Sequence, residues 1–119
     1  MDKKNVYVII CHWRDMDGMD EVNTFVHSTL EGARAHFAEL AADEVAWWRN
    51  EYEWKIPETA LDGASHYYKS VDGEVVEVDC GWDKDCGLWV TVGSDELHLY
   101  DTNSYIDTDF YISEQTLGD

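Results

Sequence analysis

Basic residues are scarce in this chain. Eight Lys and Arg stand against 26 Asp and Glu across 119 residues, for a formal net charge of −18. Such a surface repels DNA, RNA and anionic membranes, and it draws basic proteins in at raised rates. Cysteine is also sparse. Cys11, Cys80 and Cys86 are odd in number and too few for a disulfide framework, which fits a reducing compartment. No apolar run approaches the ~20 residues needed to span a bilayer. The first such run, Val6 to Ile10, is too short for a secretory signal and no small-residue cleavage site follows it. The expected location is therefore the cytoplasm. The single proline, Pro57, disfavours helical geometry at Ile56 and so marks a helix end upstream.

What the chain does hold is apolar and aromatic side chains, 45% and 13% of residues, enough to build a core in one domain spanning residues 1–119. The acids are unevenly placed. Residues 1–56 carry 11 acids and 6 bases, whereas residues 57–119 carry 15 acids and 2 bases, Lys69 and Lys84.

The β-branched run Val6, Val8, Ile9, Ile10 predicts a strand over Asn5 to Trp13. Because the run is continuous rather than alternating, it predicts cover on both faces. A polar turn, Asp15 to Asp20 with Gly18 inside it, leads into a second strand from Glu21 to His27. Ser28 and Glu31 have the S-x-x-E spacing of a capping box. Behind them Leu30, Ala33, Phe37, Leu40, Ala41, Val45, Trp48 and Tyr52 recur at three- and four-residue spacing, one face of a helix that should end near Trp54. Trp47 and Trp48 point about 100° apart on such a helix, so one of them should leave the core stripe.

A loop over 57–65 containing Asp62-Gly63 precedes an antiparallel meander. His66 to Val71 and Glu74 to Asp79 flank Asp72-Gly73, a two-residue hairpin signal. Cys86 to Val92 and Glu96 to Tyr100 flank Gly93-Ser94-Asp95, and a short strand, Phe110 to Ser113, follows the polar stretch Asp101 to Asp109. The order ββα followed by four or five strands predicts an α+β fold, one long helix packed on one face of an antiparallel sheet.

No complete catalytic or cofactor site stands out. Cys11-His12 and Cys80-x5-Cys86 do not match the two- to four-residue cysteine spacing of zinc sites. Cys80 and Cys86 bracket the tip of a hairpin, where cross-strand positions come within disulfide range, although a reducing compartment would keep both as thiols. Asp15, Asp17 and Asp20 around Gly18 lack the order of a calcium loop. Asp101, Asn103, Tyr105, Asp107 and Asp109 alternate as that loop requires, yet Ile106 stands where glycine belongs and Ile112 where the bidentate glutamate belongs. An irregular oxygen site stays open there. His12, His27, His36, His66 and His98 have no diagnostic neighbours, and no glycine loop for phosphate occurs. Neither an enzymatic activity, a cofactor nor a bound metal is expected.

In kind, the chain resembles the small acidic inhibitors carried by phages and mobile elements. The features are Val6-Tyr7-Val8, the acidic turn at Asp15–Glu21 and the Ser28-x-x-Glu31 helix start, which cover the first half. Those families include anti-CRISPR and anti-restriction DNA mimics, and nuclease-neutralising immunity proteins are a neighbouring group. The resemblance implies a cytoplasmic inhibitor of a basic nucleic-acid-binding protein or nuclease. None of those families' functional residues map onto this chain.

From the residues themselves, carboxylates spaced along strands and turns imitate a phosphate track that a partner's Arg and Lys would grip. The expected partner-binding residues are Asp72, Glu74, Glu77, Asp79, Asp83, Asp85, Asp95, Glu96, Asp101, Asp107 and Asp109. Trp82 is expected as an aromatic anchor with an acidic rim. Two alternatives belong to other classes. One is a metal- or small-ligand-binding accessory domain; the other is an enzyme whose site assembles across the sheet. A deep pocket with converging titratable groups would favour the enzyme, a continuous acidic face with no pocket the inhibitor, and ordered density between two or more carboxylates the accessory domain.

Overall fold

The computed structural model describes residues 4–51, 55–72, 74–78, 87–102 and 105–117. In chain order the elements are β1 (Lys4–Arg14), β2 (Asp20–His27), α1 (Leu30–Glu51), a single 3-10 turn (Glu58–Ala60), β3 (Ser65–Val71), β4 (Glu74–Glu77), β5 (Leu88–Val92), β6 (Glu96–Asp101) and β7 (Ile106–Leu117). The strands form one antiparallel sheet in the order β2-β1-β7-β6-β5-β3-β4. The expected α+β fold, a long helix on an antiparallel sheet with a meander after it, is the observed one.

Local chemistry explains the turns. Between β1 and β2 the Asp15 carboxylate accepts the backbone N–H groups of Asp17 and Met19, each at 2.9 Å, and Gly18 takes the positive φ of 93° that closes the loop. Between β3 and β4, Asp72 adopts φ 52° next to the closing pair Val71 and Glu74, as a primed two-residue turn demands.

The helix start differs from the capping-box expectation. Thr29, not Ser28, is the cap: its Oγ1 accepts the Gly32 N–H at 3.0 Å and its carbonyl accepts the Ala33 N–H at 3.1 Å. β2 continues to His27, and the chain needs two residues to turn, which shifts the helix frame by one and puts glycine where the box needs glutamate. Thr29→Ala is therefore expected to destabilise the fold by about 0.5–2 kcal/mol. Ser28→Ala should leave a denaturant melt unchanged, and the reverse ranking of the two variants would restore Ser28 as the cap. At the other end, Arg49 donates two hydrogen bonds to the Ile56 carbonyl, at 2.9 and 2.6 Å, and ties α1 to the segment entering Pro57. Tyr52 and Trp54, where the helix was expected to run out, lie outside the described residues.

One face of α1 covers half of the sheet. Ala33, Phe37, Ala41, Val45 and Trp48 are buried against Ile9 and Cys11 of β1 and Phe110 of β7. On the other half, Leu88, Val90, Leu97 and Leu99 belong to the same buried cluster as Ile56 and Ala60, and the 3-10 turn packs on β5. Trp48 is fully buried while Trp47 is 43% exposed, as the angular separation of the two requires.

Two strand expectations are corrected. β1 is not covered on both faces. Ile9 and Cys11 point under the helix, but Val8 and Ile10 lie on the opposite face, half-buried beside Val22 and Val26 of β2, which are 54% and 66% exposed. Lateral contact with neighbouring strands, rather than a second layer, shelters them. β7 is twelve residues long and starts at Ile106, well before Phe110. Thr108, Phe110 and Ile112 face the core, and the intervening Asp107 and Asp109 face outward, so the polar stretch is the outer half of an alternating strand.

Candidate partner-binding clefts

The acids expected to form one track are divided by the fold. Asp72 sits on the β3–β4 turn, and Glu74 and Glu77 on β4, the outermost strand of one edge. Glu96 and Asp109 lie on β6 and β7, with β5 and β3 between them and β4. Asp101 is only 4% exposed, on the core side of β6. Asp95 receives a bidentate pair from Arg34 at 2.6 and 2.9 Å, which holds its carboxyl below the usual range. Asp107 is gripped by Arg14 at 2.6 Å and by His98 at 2.9 Å. Asp79, Asp83, Asp85 and Trp82 lie outside the described residues, as do Cys80, Cys86 and Asn103.

Glu77 belongs to a local clamp. The His66 ring is bonded through Nδ1 to Glu77 and through Nε2 to Asp62 at 2.8 Å, joining the loop before β3 to the edge strand. Asp62 first and Glu77 second raise the imidazole's pKa above its ordinary value, and His66 lowers that of Asp62. A raised histidine contributes stability that is fully present below its unfolded value, near 6.5, and is lost as pH rises through the folded value. The gap in melting temperature between the native chain and His66→Gln is thus expected to be wide at pH 6 and to narrow toward pH 8. A constant gap would mean the ring's charge contributes nothing.

The metal candidates are separated. Cys11 and His12 are adjacent on a strand, hence on opposite faces: Cys11 is buried under α1, and His12 bonds Asp20 outside. Burial, with Glu44 nearby, pushes the Cys11 thiol up to about 11, which makes it a poor thiolate. Among the described residues no three His, Cys, Asp or Glu side chains converge as ligands.

Two clefts flank α1, and the helix supplies one wall of each. The larger, about 740 Å³, runs between Ala38, Ala41, Ala42 and Val45 on one side and Asp62, Asp95 and Glu96, the first residue of β6, on the other. The smaller, about 460 Å³, lies between Leu40, Asp43, Glu44 and Trp47 of the helix and Trp13, Met19, Glu21 and Asn23 of the β1–β2 hairpin. Each therefore has a largely apolar floor and acids in its lining. The smaller one reproduces, at Trp47, the anchor-and-rim arrangement expected at Trp82.

Glu44 is the residue the sequence reading passed over. It is 8% exposed. Its Oε1 accepts Trp48 Nε1–H and Thr108 Oγ1–H, both at 3.0 Å, and its Oε2 accepts Trp13 Nε1–H at 3.1 Å. All three donors are neutral. Among the described residues no Lys, Arg or His forms an ion pair with it. The available signal was its phase: three residues after Ala41 and four before Trp48, it occupies the buried stripe.

No protein-family model, curated protein or solved structure matches the chain. No helix among the described residues is long and apolar enough to cross a membrane.

Proposed function

We propose that the protein binds and blocks a basic protein that handles nucleic acid, using α1 as a ridge that enters the partner's groove. The observation that carries this reading is the acid-lined cleft on each flank of the helix. Hot spots join an aromatic anchor to a polar rim, and a cleft lined by Trp47 together with Asp43 and Glu21 supplies both. The charge budget points the same way. Arg14, Arg34 and Arg49, the chain's only arginines, are all engaged by internal acceptors, so the outward field is acidic. A basic nucleic-acid groove complements such a field, and DNA would compete for the same partner.

The test is an affinity capture from the cell that expresses the protein, followed by binding of the purified partner across a salt series. Glu21 and Asp43 reversed together to Lys are compared with Asp72 and Glu74 reversed together, since both pairs change net charge equally. The cleft pair should lose about tenfold or more in affinity relative to the edge pair. Binding should weaken as salt screens charges beyond a Debye length of ~8 Å. Equal losses, or indifference to salt and to competing DNA, would discard the reading.

A further inference from the structure

We propose that the smaller cleft is a receptor for one alkylammonium group, a lysine side chain, seated against Trp13 and Trp47 and bound by Glu44. The buried carboxylate is the starting point. A buried charge is normally paired, because removing it from water without compensation is costly. Glu44 has hydrogen-bond donors but, among the described residues, no cation, and it lines a cleft that opens to solvent. Its Oε1 already accepts two hydrogen bonds while Oε2 accepts one, so Oε2 retains an acceptor site.

The remaining lining matches the parts of a lysine. Indole faces attract cations, and Trp13 and Trp47 stand on opposite walls. Leu40 and Met19 offer apolar surface for the methylene stem. Asp43 and Glu21 can accept hydrogen bonds from the ammonium's other N–H groups. A guanidinium is a poorer fit, since its planar fork prefers two parallel acceptors and Oε2 offers one. A divalent metal fits worse still: such ions want several oxygens at once, and no ligand set of three converges among the described residues. That the lysine belongs to a protein rests on the function proposed above; the pocket itself does not.

The 119-residue chain is titrated with N-acetyl-lysine methylamide while the indole N–H resonances of Trp13 and Trp47 and the tryptophan fluorescence are followed. The arginine and norleucine analogues and potassium chloride at matched ionic strength serve as controls. The lysine analogue should shift the Trp13 indole resonance saturably in the millimolar range, as expected for a single side chain, and about fivefold more tightly than arginine. Norleucine and potassium should not. Trp47→Ala and Asp43→Asn, both at exposed positions and checked for native circular dichroism, should each weaken the lysine analogue severalfold. A shift equally produced by norleucine or potassium, the absence of saturation, or no effect of either variant would overturn the pocket. If the analogue binds while capture of the macromolecular partner is indifferent to the same variants, the pocket stands and the inhibitor reading falls. If capture is lost in Trp47→Ala yet no small cation saturates the site, the pocket falls and capture stands.

Discussion

Phe37→Ala is expected to destabilise the native state by about 3–5 kcal/mol, the range for truncating a fully buried aromatic ring. Phe37 has no exposed surface and sits at the centre of the stripe by which α1 covers β1 and β7. The loss has two parts, the transfer of apolar area and the cavity left where rigid strands cannot close in. A domain of this size holds about 5–15 kcal/mol in all, so one substitution would remove about a fifth or more. At roughly 4 °C per kcal/mol the melting temperature should fall by about 12–20 °C. Glu39→Ala, two residues along on the exposed side of the same helix, should change stability by no more than about 0.5 kcal/mol. Calorimetry on both variants checks the contrast. A Phe37→Ala loss below about 1 kcal/mol would mean that the helix does not pack on the sheet as described.

Glu44→Ala is the second large effect, with an expected loss of about 2–4 kcal/mol even though it exchanges a charged residue for a good helix former. The reason lies in the three donors it would strand. Each orphaned buried donor costs about 1–3 kcal/mol, offset here because Trp48 Nε1–H can fall back on Thr108 Oγ1, 3.3 Å away. Trp13 Nε1–H, at the cleft, can fall back on water. Glu44→Gln keeps an acceptor oxygen in the same volume and should lose less than the alanine variant. Denaturant unfolding of the pair gives the ranking. If alanine proves the more stable of the two, the network is not what fixes the carboxylate in place.

These residues show where sequence patterns carry information. The helix, its buried stripe and the Asp72 turn were legible because each is encoded within a few residues, by spacing or by a local backbone preference. The position of β7 was not. Its pairing with β1, in which Cys11 meets Phe110, joins residues far apart in sequence, and nothing in either segment names the other. The length of β7 was legible in principle, since Ile106, Thr108, Phe110 and Ile112 alternate with polar residues, but Asp107 and Asp109 masked that period as a loop. The dispersal of the described candidate acids over several elements was hidden for a related reason. Composition counts carboxylates without saying which are answered by an arginine, and Asp95 and Asp107 are answered by Arg34 and Arg14 from other elements. Glu44 was hidden by the opposite bias, an acid read as surface because acids usually are.

The place of β7 between β1 and β6 has a consequence during synthesis. The ββα segment emerges from the ribosome before the meander, yet the strand that flanks β1 on its inner side emerges after the other described elements. Until then β1 has a row of unanswered backbone groups, and the sheet exists as two fragments with no shared edge. Nascent chains must therefore wait, with an apolar strand uncovered, for β7 to arrive and close the gap. Closure of the sheet is in that sense timed by β7, however early the helix and the meander take shape.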